Sequence, residues 1–283
     1  MKSMKFTGLA LLGVALLSST AMAQDKKKIV IATEGAFAPW NFTSPSGEIL
    51  GLEPDLQKIL CERMNVECEL ILYDWDGMLP GLTGKKFDAI MAGMSITDER
   101  SKAINFTNPY VETANGFLVP VDSDLAKMPH TGEKYNLDKD PETGKKVFDE
   151  IKPMLKGKVI GVQISTNHTD FANKYYADVA EIKTYPTTEA HDLDLQAGRI
   201  DAVTTDQTAL KGTLDKPDFA GKYVIVGPGF VGDVLGKGVA VGLRKEDNDL
   251  REQFNKAIDS VIADGTLKEL SLKWFKVDTV PTK

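Results

Sequence analysis

The sequence predicts an α/β protein with two similar lobes, and three features of the 283-residue chain support this prediction. Patterns typical of buried strands and amphipathic helices alternate along most of its length. A nine-residue pattern occurs twice, at 82–90 and 195–203: a leucine, three spacers, a base, an apolar residue, aspartate, alanine and a branched residue. The final elements are expected to return to the first lobe, so the chain would cross between lobes twice. We therefore expect a ligand site in the cleft between the lobes.

The first 23 residues are typical of a secretory signal peptide. Lys2 and Lys5 precede an apolar run from 6 to 17, and small residues favour cleavage after Ala23. The run is shorter than the roughly 20 apolar residues that span a bilayer, and Gln24 follows where a lipid-bearing cysteine would stand. We expect the mature chain to be soluble and exported.

The charge balance and the cysteines narrow the function classes further. The formal net charge is −7, and loss of the two signal lysines would make it more negative, which argues against a nucleic-acid partner. Cys61 and Cys68 are the only cysteines, and a pair in an oxidising compartment is expected to form a disulfide. A redox motif would be tighter and a zinc site would need more ligands, so we expect a local structural bridge.

The apolar spacing predicts the elements of the first lobe in order. Residue 54 is a proline, which suits a first helical turn, and Leu56, Ile59, Leu60 and Met64 recur on one face of the helix that follows. The predicted elements are a strand at 28–33, this helix at 54–64, a strand at 69–73, a short helix at 78–82 and a strand at 87–92.

The same pattern predicts the second lobe and a returning segment. The second lobe is predicted to contain strands at 117–121, 159–163, 181–185, 200–204 and 223–226 and helices at 170–176, 189–197 and 207–214. After it we expect a strand at 239–243, a long amphipathic helix at 250–262 that ends at Asp264-Gly265, and a last helix at 267–275.

These elements assign residues to two lobes and an insert. Lobe one is predicted to comprise 24–116 and 231–283, and lobe two 117–230, with crossings near 115–116 and 227–238. Residues 122–153 form a polar insert that we interpret as an excursion at the surface of lobe two. Within and just after the insert, Val147, Ile151 and Leu155 have the spacing of a helix. We assign the insert no chemistry.

No motif indicates catalysis, a metal or a cofactor. Residues 227–232 match a dinucleotide-binding glycine pattern, but no helix is predicted to begin there, so we interpret them as a flexible crossover. His130, His168 and His191 lack metal-ligand spacing, and neither cysteine lies beside a base. We expect no cofactor, and we interpret Asp88 and Asp201 of the repeated pattern as structural.

Polar and aromatic side chains instead follow several predicted strands, where open α/β sheets bind ligands. They are Glu34, Phe37, Trp40, Trp75, the run 95–100, and Asp206. Thr166 and Asn167 precede a predicted helix. They can either cap that helix or present its free amides to a carboxylate.

Five segments resemble a known family: 33–40, 51–56, 61–68, 95–100 and 241–245. They are similar to the polar amino acid-binding proteins of ABC importers, most closely to the lysine/arginine/ornithine- and opine (nopaline/octopine)-binding branch. The resemblance implies a type II periplasmic binding protein fold, in which each lobe is a mixed sheet flanked by helices and two hinge crossovers join the lobes. It also implies a periplasmic, monomeric protein that delivers its ligand to a membrane permease and its ATPase.

The resemblance also implies roles for the groups that hold the ligand backbone. Arg100 would bind the α-carboxylate, helped by Ser95 and by amides near Thr166 and Asn167. Asp206 would bind the α-ammonium. Guanidinium suits the first role, because it forms a paired fork with a carboxylate that lysine cannot match.

The ligand side chain would lie between aromatic walls. The resemblance places Phe37 and Trp75 on either side of it and Glu34 near its far end. A cation over an aromatic face gains roughly 0.5–2 kcal/mol, so these residues suit a basic side chain.

The chain departs from the basic amino acid binders at three site positions. Ala92 and Gly93 stand where those proteins usually carry serines, and Gln163 is more polar than the residue usual there. We expect a wider pocket, for an arginine-like amino acid or a larger conjugate such as an opine. The alternative is a dehydratase-like enzyme on this scaffold that acts on a small carboxylate, with Glu34 as the available acid or base.

Overall fold

The computed structural model describes residues 28–281, so the predicted signal peptide lies outside the described residues. The first elements are β1 (Lys28–Thr33), β2 (Ala36–Phe37), β3 (Asn41–Thr43), β4 (Ile49–Leu50), α1 (Leu52–Arg63), β5 (Glu67–Leu72), α2 (Met78–Thr83), β6 (Ala89–Ile90), α3 (Asp98–Ala103) and β7 (Asn105–Phe106). The next are β8 (Asn115–Pro120), β9 (Lys134–Asn136), α4 (Pro141–Leu155), β10 (Val159–Gln163), α5 (Asn167–Tyr176), β11 (Glu181–Tyr185), α6 (Thr188–Gln196), β12 (Ala202–Asp206), α7 (Gln207–Leu214), β13 (Tyr223–Val226) and β14 (Gly229–Val231). The last are β15 (Gly242–Leu243), α8 (Asn248–Ala263) and α9 (Thr266–Phe275).

Two five-stranded sheets of the same plan organise the chain. The first has the order β5-β1-β6-β15-β7 and the second β11-β10-β12-β8-β13. In each, three neighbouring strands are parallel, and the other two are antiparallel to the strand beside them. We call the first sheet with its helices lobe one and the second lobe two. The predicted pair of mixed-sheet lobes is confirmed, as is the return of the chain to lobe one.

The aspartate of the repeated sequence pattern forms the same hydrogen bonds with an equivalent strand in each lobe. In lobe one, Oδ2 of Asp88 accepts the Val30 N–H at 3.0 Å, while the Asp88 N–H donates to the Val30 carbonyl at 2.8 Å. In lobe two, Asp201 makes the same two contacts with Val159, at 2.8 and 2.9 Å. Each aspartate thus occupies two backbone groups near the start of a parallel strand, which explains why the pattern recurs.

Aromatic residues in the core of lobe one support Phe37, which lies at the cleft. Trp40 is fully buried, and its ring centroid lies 4.8 Å from that of Phe275 in α9. Phe37 stacks on Trp40 at 5.9 Å. Helices α1, α8 and α9 pack on one another around these rings. Burial of such large aromatic surfaces gives Phe37 a rigid base.

The insert packs the apolar face of one helix against lobe two, and the helical spacing predicted for Val147, Ile151 and Leu155 is confirmed. Helix α4 buries Val147, Phe148, Ile151 and Leu155. The Phe148 ring stacks on Phe230 with centroids 4.4 Å apart. Strand β9 of the insert pairs in parallel with β14. Residues 229–231, which we predicted to be part of a flexible crossover, therefore form an ordered strand.

Other boundaries differ where side-chain contacts interrupt a regular pattern. The strand predicted at 200–204 begins at Ala202, because Asp201 is engaged with Val159 at the turn before it. The strand predicted at 239–243 is reduced to Gly242–Leu243, while Val239 forms isolated bridges with Ser95 and Val111. The small sheet β2-β3-β4 and helix α3 were not predicted. Across residues 28–281, no helix combines the length and the apolar character needed to cross a membrane.

The predicted disulfide is present, and its effect on stability can be tested. Cys61 in α1 is bonded to Cys68 in β5, an edge strand of the first sheet, with a Cα–Cα distance of 6.1 Å. Because the bridge closes a short loop, the Cys61→Ser/Cys68→Ser variant should lose roughly 2–3 kcal/mol of unfolding free energy. Urea unfolding measures this. Reducing agent should lower the midpoint of the parent and leave the variant unchanged; equal midpoints for parent and variant would contradict the prediction.

Candidate ligand-binding site

Two neighbouring cavities lie between the lobes, at the carboxyl ends of β1, β6, β10 and β12. The smaller, of about 20 Å³, is lined by Glu34, Phe37, Trp75, Ala92, Gly93, Gln163, Thr166, Asn167, His168 and Thr205. The larger, of about 600 Å³, includes Ser95, Asn167, His168 and Asp206 in its wall. Ten of the eleven predicted site residues therefore line one cavity or the other. Arg100, the eleventh, contacts two of them, and the roles of all eleven stay predictions.

Arg100 is a buried cation of lobe one. Helix α3 presents it after Thr97, whose side chain caps the helix by accepting the Arg100 N–H at 3.2 Å. Its guanidinium lies 5.2 Å from the Trp75 ring centroid, and Nη1 donates to the Ser95 carbonyl at 3.1 Å. Burial lowers the pKa of Arg100 to about 10, so it is charged at neutral pH. Within residues 28–281 it forms no ion pair, which leaves a positive charge for an external carboxylate.

Asp206 is a buried anion of lobe two. It ends β12 and caps α7, and its Oδ1 accepts the Thr208 N–H at 2.8 Å, the Thr208 hydroxyl at 2.5 Å and the Thr113 hydroxyl at 3.1 Å. Burial raises the pKa of Asp206 to about 6 in spite of these donors. No lysine or arginine of the described chain pairs with it. It can therefore accept a cationic group of a ligand.

Hydrogen bonds join the two lobes across the smaller cavity. The Gln163 side-chain amide donates to Oε1 of Glu34 at 2.6 Å, and the Trp75 indole donates to the Ser165 carbonyl at 3.2 Å. Burial raises the pKa of Glu34 to about 7, and the nearby carboxylates of other residues raise it further. These contacts hold the lobes against each other at the site.

Thr166 and Asn167 have different tasks at the start of α5. The Thr166 hydroxyl caps the helix, since it accepts a backbone N–H three residues later at 3.1 Å and donates to a backbone carbonyl at 2.7 Å. The Asn167 side-chain amide reaches across to lobe one, where it donates to Ser95 Oγ at 3.2 Å, and it also donates to the Leu235 carbonyl at 2.8 Å. The capping alternative therefore accounts for the Thr166 side chain.

Gly93 has a steric reason to lack a side chain. Its φ is +63°, and a Cβ at this position would lie 2.7 Å from the Phe37 ring. A serine here would therefore collide with the aromatic wall unless Phe37 moved. Together with Ala92, which adds only a methyl group, Gly93 makes room for Phe37 at the side of the cavity.

Glu53 supports the site from behind and was missed in the sequence. It is 1% exposed and accepts the Gly93 N–H at 2.7 Å, the Asn41 amide at 2.6 Å and the Tyr110 hydroxyl. Asn41 in turn accepts the Gly35 N–H at 2.7 Å. Burial raises the pKa of Glu53. This network ties together the loops after β1 and β6. The sequence did contain a sign of this role. Glu53 lies three residues before Leu56 and seven before Leu60, a spacing that places it on the buried face of α1.

Asn115, His168 and Thr205 are among the cavity residues that were not predicted. In the described chain, Nδ1 of His168 and Nδ2 of Asn115 are buried without a hydrogen-bond partner. Burial, followed by the charge of Arg100, lowers the pKa of His168 to about 3, so its imidazole is neutral. Both side chains can hydrogen-bond a ligand. His168 could have been inferred from its place beside Thr166 and Asn167, whereas we considered it only as a metal ligand.

Known proteins are similar to this chain in sequence and in fold. The chain is 44% identical over 284 residues to the octopine-binding periplasmic protein of Rhizobium meliloti, with 94% of this chain and 96% of that protein aligned. It is 33% identical over 275 residues to the L-arginine-binding protein of Pseudomonas aeruginosa, covering 95% and 97%. An ancestral arginine-binding protein bound to arginine has a TM-score of 0.73 and 27% identity, over 89% of this chain and 100% of that one.

These similarities confirm the predicted type II fold and the prediction that the chain is not an enzyme, since the relatives named above are binding proteins. The matching family model extends over residues 29–277, and so includes both sheets and both crossings between them. The chain belongs to the bacterial extracellular solute-binding proteins, family 3.

Proposed function

We propose that the protein is the soluble substrate-binding component of an ABC importer and captures a polar or basic amino acid or an opine in its cleft. The observation that carries this proposal is the pair of buried, opposite charges, Arg100 in lobe one and Asp206 in lobe two, neither in an ion pair within residues 28–281. A free α-carboxylate and α-ammonium would supply the two missing partners. The ligand would thus bind both lobes at once.

The chemistry of the other end of the cleft suits a basic side chain, although the cavity of about 20 Å³ must widen to admit one. Trp75 and Phe37 present aromatic surface to the smaller cavity, and Glu34 places a carboxyl group there. The carboxylates of Glu53, Asp74 and Glu189 all act on Glu34 and raise its pKa, which indicates a negative local potential. A cationic side chain would be attracted by that potential and by the ring faces.

The larger cavity supports an opine rather than a free amino acid. It measures about 600 Å³ and extends from Asp206 to Lys134 and Lys139 of the insert. This space exceeds what the backbone of a free amino acid requires, and the lysines suit an anionic substituent. The relative that is 44% identical is named for octopine binding.

The family supports a proposal for the location of the protein and for its partners. Related proteins are periplasmic, and we infer that this protein is exported by its signal peptide, cleaved after Ala23, and acts as a monomer. Since the ligand groups are divided between the lobes, bound ligand favours the closed arrangement. We propose that the permease subunits recognise that closed form and pass the ligand inward under the control of their ATPase.

Mass spectrometry of the ligand released by denaturing the purified protein tests the function. We expect an unmodified basic amino acid or opine that rebinds to refolded protein with one site per chain. Incubation with the protein should leave the compound chemically unchanged. A protein-dependent product would instead support the dehydratase-like alternative, and failure of every amino acid and opine to bind would refute the proposal.

Replacement of Arg100 by alanine should weaken binding of this ligand by roughly 2–5 kcal/mol, about 30-fold or more in Kd, because a buried carboxylate would lose its charged partner. Arg100→Lys should restore only part of the loss, since lysine cannot form the paired fork. Calorimetry measures both. Lys102→Ala, an exposed neighbour in α3, is the matched control and should bind like the parent. Parent-like affinity in Arg100→Ala would exclude this role.

Affinity should fall as the pH drops through the pKa of Asp206, which is about 6 in the free protein. Only the ionised carboxyl attracts an ammonium group, so a fall from about pH 7.5 to about pH 5 should cost about tenfold in affinity. His168 remains neutral throughout this range, whereas Glu34, whose pKa is about 7, also becomes protonated within it. Isothermal titration across the range measures the profile. Asp206→Asn should bind weakly and lose the step near pH 6; an unchanged profile in that variant would rule out Asp206 as its origin.

A further inference from the structure

A hydrogen-bond chain connects the anionic site of lobe two to the core of lobe one. The Trp40 indole Nε1 lies 2.8 Å from Thr208 Oγ1, and that oxygen lies 2.5 Å from Oδ1 of Asp206. Trp40 is fully buried and Thr208 is 3% exposed, so water does not compete for these contacts. Asp206 is thus linked through a single hydroxyl group to a residue of the other lobe.

The chemistry of the three groups fixes the direction of this chain. An indole N–H can only donate, so the Thr208 oxygen must accept from Trp40. The hydroxyl has one hydrogen, and with Trp40 in place that hydrogen is free to point at Asp206. The chain therefore ends with a donor facing a carboxylate oxygen, an arrangement that favours the ionised form of the acid.

We propose that Thr208, oriented by Trp40, is a positioning residue that keeps Asp206 ionised, so that contact between the lobes sets the charge of the ammonium site. The protein donors from Thr208 and Thr113 reach Oδ1. Among the residues that the structure describes, no side chain donates a hydrogen bond to Oδ2, which is left for a ligand. The use of that charge to bind an ammonium group rests on the proposed function, whereas the effect of Thr208 on Asp206 does not.

Close packing holds the donor and the acceptor in place. Helix α7, which begins next to Asp206, buries Ala209 against the core of lobe one. One turn later Gly212 meets the other lobe so closely that a Cβ there would lie 2.6 Å from Cδ of Pro39 and 3.2 Å from the Ala38 carbonyl. Because Pro39 precedes Trp40, this contact sets the distance between the indole and Thr208.

The other charged groups around Asp206 make no hydrogen bond or ion pair with it in the described chain. The charged or titratable side chains that share its cavity are Glu112, Lys134, Asp138, Lys139, His168 and Lys237. Lys237 is engaged with Asp98 at 3.3 Å. His168 is neutral above about pH 3. In the described chain, none of them is hydrogen-bonded to Asp206, so the direct contacts that oppose the effect of burial are the threonine donors and the backbone N–H of Ala209.

Carbon-13 NMR of the aspartate carboxyl groups tests the proposal without any ligand. The Asp206 signal is identified by its loss in Asp206→Asn, and its midpoint in the parent should lie near pH 6. Thr208→Val keeps the shape and the backbone N–H but removes the hydroxyl, and should raise the midpoint by about one pH unit. Thr208→Ser restores the hydroxyl and should return to the parent value. An unshifted midpoint in Thr208→Val would overturn the proposal.

A second measurement tests the part played by Trp40. In the parent, the Trp40 indole N–H resonance should shift with the same midpoint as Asp206, and Thr208→Val should abolish that shift. The indoles of Trp75 and Trp274, which have other acceptors, are the internal controls. Trp40→Phe should raise the Asp206 midpoint by less than Thr208→Val does. If Trp40→Phe unfolds, the titration of the parent still tests the role of Trp40. A Trp40 indole N–H shift that does not change as Asp206 titrates would show that Trp40 plays no part.

These results are separable from the proposed function. A raised Asp206 midpoint in Thr208→Val, in a protein that binds neither L-arginine nor octopine, would support the positioning role and refute the ligand class. Binding of either compound with an unshifted midpoint would do the reverse.

Discussion

The site depends on two buried charges of opposite sign that the protein keeps apart. Arg100 and Asp206 belong to different lobes, and neither forms an ion pair within residues 28–281. Burial of an unpaired charge is unfavourable, so burial lowers the pKa of Arg100 and raises the pKa of Asp206. Because folded Asp206 holds a proton to higher pH than the unfolded chain would, this carboxyl makes the free protein less stable as the pH rises through about 6. Under the proposed function, a zwitterionic ligand would remove both penalties together.

The scaffold holds these charges with polar contacts of its own. Asp88 and Asp201 fasten equivalent strands of the two sheets, so the strand ends that carry the site are presented in the same way by both lobes. Behind the aromatic wall, the buried Glu53 joins the loops on which Glu34 and Gly93 lie. The Asp88 and Asp201 contacts are partly buried and the Glu53 network is fully buried, and a hydrogen bond to a charged group contributes most where water is excluded. Precision in the cleft thus rests on buried polar residues as much as on the apolar core.

Local patterns in the sequence were sufficient to predict the fold but only part of the site. The order of the long strands, the amphipathic helix α8 and the disulfide could be predicted because each reflects spacing within one segment. The short strands β2, β3 and β4 could not, since pairing between them rather than periodicity defines them. Thr208 and Trp40 are 168 positions apart in the sequence, and Glu53 and Tyr110 are 57 positions apart. No local sequence pattern could predict these contacts. Helix α4 of the polar insert could also be predicted, because Val147, Ile151 and Leu155 recur at helical spacing.

The strand order has a consequence for the sequence of events in folding. One continuous stretch, from β8 to β13, supplies every strand of the second sheet. The first sheet is interrupted: β15, from near the carboxyl terminus, lies between β6 and β7 and supplies the pairing that joins them. A chain that emerges amino end first can therefore complete its second sheet while its first still lacks a central strand. The lobe that is synthesised first is the last to be finished, and the cleft exists only when the whole chain has arrived.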